Sequence, residues 1–220
     1  MENVFERIDE KSAGTRISSS LYNLTIGLVL CWGFFINWLM VKYIPYYSLA
    51  GISPFFFIIA YFASCFYGVF LFTKSNKAIV SFIGYNFVVI PFGVVINLVV
   101  YQYDSALVLD AIRVTGFVTL FMMILGTVFP LFFQRIAGAL TIALLAVIII
   151  ELIEIFLLRI HHGIIDWIVV LIFCGYVGVD WGRANRIPKT FDNAVDSAAS
   201  LYMDIINLFL RILSILGRRK

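Results

Sequence analysis

Four stretches of this chain, Ile17–Val41, Tyr43–Thr73, Ala78–Tyr103 and Val114–Gln134, contain no Asp, Glu, Lys or Arg. Each exceeds the roughly 18 apolar residues that mark a membrane-spanning helix. Ile136–Ile150 and Trp167–Val179 are shorter and extend into spans if their flanking acids are tolerated. Composition agrees: 62% of the 220 residues are hydrophobic and 13% charged, against about a quarter charged in a soluble domain. So much apolar surface cannot hide in a core of this size, and lipid is the expected solvent.

The whole chain reads as seven hydrophobic segments, roughly Leu21–Val41, Ile52–Thr73, Ile79–Tyr101, Ala106–Pro130, Ile136–Leu157, Ile164–Asp180 and Ala198–Leu216. A lipid-facing backbone must satisfy its own hydrogen bonds, so all should be helices. The runs are continuous rather than alternating, which argues against a barrel. The expected organisation is a polar N-terminal segment (1–20), a seven-helix membrane domain (21–216) and a basic tail (217–220). The polar, mixed-charge start and the long first run do not read as a cleaved signal peptide.

Orientation follows the positive-inside rule. With the N-terminus in the cytosol of a cell-membrane protein, Arg7, Lys11, Arg16, Lys74, Lys77, Arg135, Arg183, Arg186 and Lys189 are cytosolic, and Lys42 and Arg159 lie outside. The last segment leaves a choice. At 19 residues it is roughly 28 Å long. Crossing fully puts the terminal basic residues outside; re-entering keeps them in. Pro91 in the third segment reads as a tolerated kink or a gating hinge. Gly178-x-x-x-Gly182 is a small-residue pair that permits close helix approach.

Two acids sit where a membrane helix should have none. Asp180 closes the sixth segment and Asp204 lies inside the seventh. Both fall in the cytosolic half of the bilayer. An intramembrane carboxylate normally faces a partner or a water path. Two that meet in a low-dielectric site cannot both ionise easily, and the pair becomes a proton sensor. Asn207 and Arg211 share the helical face of Asp204 at i+3 and i+7, so the seventh helix carries a polar stripe that must turn inward. The simpler reading is that Asp204 pairs with Arg211 or another cation.

At the outer ends lie Asp104, Asp110, Glu151, Glu154 and Asp166, against Arg113 and Arg159. Such a net negative mouth concentrates cations, and carboxylate oxygens suit Ca²⁺. The simpler reading pairs Asp110 with Arg113 and leaves the others solvated. His161 and His162 sit in an outer loop, where solvated histidines are commoner than metal ligands. Cys31, Cys65 and Cys174 fall in apolar runs without metal-ligand spacing.

Catalysis finds no support. There is no phosphate loop, zinc-protease helix or serine elbow. The Gly-x-Gly-Asp signature of intramembrane aspartyl proteases is missing: Gly178 and Val179 precede Asp180, and Tyr202 and Met203 precede Asp204. The expectation is a non-enzyme without cofactor or resident metal. Nothing suggests a nucleic-acid partner; the partners expected are the lipid bilayer and Ca²⁺ or other cations.

The segment Leu201-Tyr202-Met203-Asp204-Ile205-Ile206-Asn207-Leu208-Phe209 resembles the terminal signature of the Bax inhibitor family, and Tyr22-Asn23-Leu24-Thr25-Ile26-Gly27-Leu28 is similar to its bacterial members. The resemblance implies an all-α integral membrane protein in which six helices surround a central, C-terminal seventh. It also implies a pH-sensitive Ca²⁺ leak governed by an aspartate pair, matched here by Asp180 and Asp204. Members place a basic latch at the cytosolic end of the second helix. Lys74 is its counterpart, and lysine lacks the bidentate fork of arginine. The helix-two acid of some members has no counterpart in Tyr43–Thr73. Other bacterial members resemble regulators of a membrane-bound protease, which makes an interaction protein without transport activity the alternative.

Overall fold

A computed structural model describes residues 15–154 and 163–218. Among them are the helices α1 (Ser19–Tyr43), α2 (Tyr46–Ala50), α3 (Pro54–Lys74), α4 (Ala78–Val100), α5 (Ser105–Val128), α6 (Pro130–Ile153), α7 (Gly163–Ala184) and α8 (Phe191–Gly217), with no strand among the described residues. All except the five-residue α2 are long and apolar enough to span a membrane. The seven expected spans are therefore present.

Two of the boundary differences have a clear physical reason. Pro130 opens α6 instead of closing the span before it, because a proline at the first helical position has no N–H to leave unpaired. The last helix begins at Phe191, seven residues before the apolar run at Ala198. Thr190 caps it by accepting the Asn193 backbone N–H at 3.1 Å. Its polar first turns are buried and bonded: Ser81 donates to Asp192 at 2.7 Å. Hydropathy scores such residues as loop, whereas buried partners let them be helix.

The helices group into two compact units. The first comprises α1–α4 and α8 as far as Tyr202; the second comprises α5–α7 and α8 from Met203. In the first unit, Tyr22, Tyr85 and Tyr202 are fully buried. The Tyr85 and Tyr202 rings meet edge to face at 5.3 Å, and the Asn37 amide donates to the Tyr202 hydroxyl at 2.6 Å. Pro91 sits inside α4 without ending it. A proline at that position cannot bond the carbonyl four residues back, which is that of Phe87. Ser64 of α3 supplies the missing donor at 2.7 Å. The tolerated-kink reading of Pro91 thus has its compensating hydrogen bond.

Tyr202→Phe should cost about 1 kcal/mol, the usual size of a hydrogen bond between membrane helices. Melting in detergent checks this, and the double variant Asn37→Leu/Tyr202→Phe should melt near the single variants. Fully additive losses would mean that the two side chains do not act as a pair.

In the second unit, α5 and α7 approach backbone to backbone. A Cβ placed on Gly126 would lie 2.5 Å from the Gly178 carbonyl oxygen, and one on Gly182 would lie 3.0 Å from that of Gly126. The Gly178-x-x-x-Gly182 spacing serves this contact. Arg218, just past the end of α8, bonds Asp166 in the first turn of α7. In this unit the last helix therefore runs antiparallel to α7. Its 27 residues make about 40 Å, more than the roughly 30 Å hydrocarbon layer.

Candidate functional site

Asp180 lies one turn before the end of α7, two residues beyond the Gly178 contact that fixes α7 against α5. Asp204 lies on the part of α8 belonging to the same unit and is 7% exposed. The two carboxyls lie close enough to act on each other directly, and the Arg183 charge acts on both. An ionised carboxylate only accepts, so a hydrogen bond between the two needs one of them protonated. Oδ2 of Asp204 is buried without a hydrogen-bond partner. The Arg183 guanidinium lies 2.7 Å from Oδ1 of Asp180, one turn along the same helix. Two carboxyls, one shared proton and one guanidinium sum to zero charge, the cheapest state for such a group away from water. Losing the proton leaves one net negative charge; gaining a second leaves one net positive charge and dissolves the Asp180–Arg183 ion pair. Tyr176, one turn before Asp180, lies within electrostatic reach of both carboxyls, and its hydroxyl bonds Thr141 at 3.1 Å.

The other end of the α7–α8 contact holds a second charged group. Asp166 is fully buried. Arg211 donates from Nη1 to its Oδ1 at 2.8 Å, and Ser214 donates to its Oδ2 at 3.0 Å, where Arg218 also bonds. The same Arg211 donates from Nη2 to Glu151 Oε2 at 2.8 Å, with Nη1 lying 2.7 Å from Oε1. Residues 204, 207, 211, 214 and 218 advance by alternate steps of three and four, so they line one face of α8. The polar stripe is longer than Asp204, Asn207 and Arg211, and it ends on this cluster.

A family model described as Inhibitor of apoptosis-promoting Bax1 matches residues 16–220, nearly the whole chain. This chain belongs to the Bax inhibitor family. Protein LIFEGUARD 4 of Arabidopsis thaliana is 42% identical over 76 residues, which are 33% of this chain and 30% of that protein. A membrane protein of Streptococcus pyogenes serotype M3 is 29% identical over 136 residues, 57% of this chain and 58% of its own. A Helicobacter pylori protein is 34% identical over 77 residues, 34% of this chain and 33% of its own. The matches thus cover between 30% and 58% of these relatives' lengths. With its seven spans, this Bax inhibitor family member is a multi-pass membrane protein.

Of the residues singled out in this Bax inhibitor family chain, Asp180 and Asp204 are brought together. Asp204 does not pair with Arg211, which is held by Glu151 and Asp166. Asn207 is half-buried and donates to the Met203 carbonyl of its own helix at 2.8 Å. Lys74 closes α3 in the first unit with its side chain exposed; the cation on Asp180 is Arg183. The acids of the expected mouth have different fates. Asp110 is exposed and paired with Arg113 at 3.2 Å, as in the simpler reading. Glu151 and Asp166 are compensated by arginines rather than open to solvent, and Glu154 is buried beyond the end of α6. His161, His162 and Arg159 lie outside the described residues. Sequence reading did not assign Arg183, Ser214 or Arg218 to either group. Arg183 was legible as the i+3 partner of Asp180, and Ser214 and Arg218 as continuations of the α8 stripe.

Proposed function

We propose that this protein passes cations, Ca²⁺ among them, across the cell membrane in a pH-dependent leak set by the Asp180–Asp204 pair. The observation that carries the reading is the buried contact of two carboxyls with one guanidinium beside them. Ionisable groups at membrane depth are costly and mark ion or proton pathways. The cluster is neutral only when it holds a single proton, and both neighbouring protonation states leave it charged. The leak is therefore least where one proton is held and rises as pH moves to either side. With the N-terminus in the cytosol, this group lies at the cytosolic end of α7. Arg211 and Arg218, at the outer end, are then balanced by Glu151 and Asp166, so full crossing of α8 places no unpaired charge of theirs outside.

The test is Ca²⁺ release from liposomes containing the purified full chain, followed with an indicator dye across a pH series. A leak that varies at least about fivefold with pH, the low end of typical coupling between sites, is the expected result. Release no faster than from empty liposomes at every pH would sink the channel reading and leave an interaction protein.

A further inference from the structure

Asp180 and Asp166 lie 14 residues apart on α7, which separates them by about 21 Å along the helix. The α8 stripe connects the two ends: Asp204 at one, Asn207 between, and Arg211 with Ser214 and Arg218 at the other. Arg211 stands across this polar face with both of its anionic partners on other helices, Glu151 on α6 and Asp166 on α7. Its side chain is only 28% exposed, and Asp166 is wholly covered. Nη2 bonds Glu151 and Nη1 bonds Asp166, so one guanidinium bridges two carboxylates, and charge-assisted bonds of this kind fix position as well as charge. It ties α6, α7 and α8 together at one level, and it puts a positive charge on the line that a cation would follow.

We infer that the Arg211–Glu151–Asp166 cluster is a second closure of the polar stripe, a charge lock that must open before a cation passes between this end and the Asp180–Asp204 pair. The inference rests on the proposed leak, deepening it with a second control point, and it assigns Arg211 as the residue that closes it. Arg218 and Ser214 are positioning residues: they hold Asp166, which leaves its Oδ1 turned to Arg211. The lock contains no group shared with the aspartate pair, so the two closures are separable by mutation.

Two readouts test this in the full chain with Cys31, Cys65 and Cys174 replaced by alanine. The first is Ca²⁺ release from liposomes. The second is labelling of Asn207→Cys, between the two closures, by a membrane-impermeant maleimide, which needs no ion flux. Arg211→Gln leaves Glu151 without its cation; Arg211→Gln/Glu151→Gln removes both partners and strands neither, keeping the test usable if the single variant folds poorly. In the neutral double variant the introduced thiol should label at least about fivefold faster than in the parent, and Ca²⁺ release should rise by a similar factor, with the pH dependence retained. A monodisperse double variant that labels at the parental rate overturns the lock, whatever the flux. Faster labelling in a protein that never releases Ca²⁺ keeps the lock and refutes the leak. Parental labelling with intact pH-dependent release refutes the lock and keeps the leak.

Discussion

Asp180→Asn and Asp204→Asn are each expected to flatten the pH profile of Ca²⁺ release, from a variation of at least about fivefold to less than about twofold. Each variant leaves one carboxylate and the Arg183 guanidinium, which balance each other without a proton. The amide preserves shape and hydrogen bonding but cannot titrate, so the effect isolates the proton from the packing. Asp180 is already bonded to Arg183 at 2.7 Å. In Asp180→Asn the guanidinium still acts on the Asp204 carboxyl, as it does in the parent. The double variant should add little further flattening, because groups that share one proton act as a single unit. A single Asn variant that kept the parental pH profile in liposomes would show the pair to be structural and would place the pH sensor elsewhere.

Gly126→Val should be the most damaging single substitution in the second unit. Its Cβ would stand 2.5 Å from the Gly178 carbonyl oxygen, and a backbone atom has no rotamer by which to escape. Relief requires α5 and α7 to separate. Overpacking of this kind costs about 1–3 kcal/mol, occasionally more. Asp180 lies two residues beyond Gly178, so the same displacement moves it relative to Asp204. Folded protein that survives should therefore also lose the pH dependence of release. Gly138→Ala is the matched control. Gly138 lies within α6 and a Cβ there meets nothing within 4 Å, so alanine should be neutral or slightly stabilising through helix propensity. Thermal unfolding in detergent decides between them: indistinguishable melting of the two variants would mean that the α5–α7 contact does not hold the site.

The spans were legible because lipid imposes one rule on every residue in them: the backbone must bond to itself, so uncharged runs of sufficient length become helices. Asp180 and Asp204 were legible for the related reason that an acid at membrane depth needs an explanation. The start of α8 was not legible, because Asp192 looks like loop until Ser81 of another helix is found beside it. Periodicity placed Asp204, Asn207 and Arg211 on one face, but a face is only a direction. It does not say which helix lies opposite at each level. Arg211 could therefore be read as a partner for Asp204, seven residues away on its own helix. In the folded protein its long side chain meets Glu151 and Asp166 instead, 60 and 45 residues distant in the chain. By itself the sequence determined that this chain lies in a membrane as seven helices and that two acids are out of place there. Only the tertiary structure decided that those acids meet beside Arg183 and that Glu151 and Asp166 are closed by arginines. Charge pairing depends on distances of a few ångströms between helices, and helical spacing along one segment carries no information about those distances.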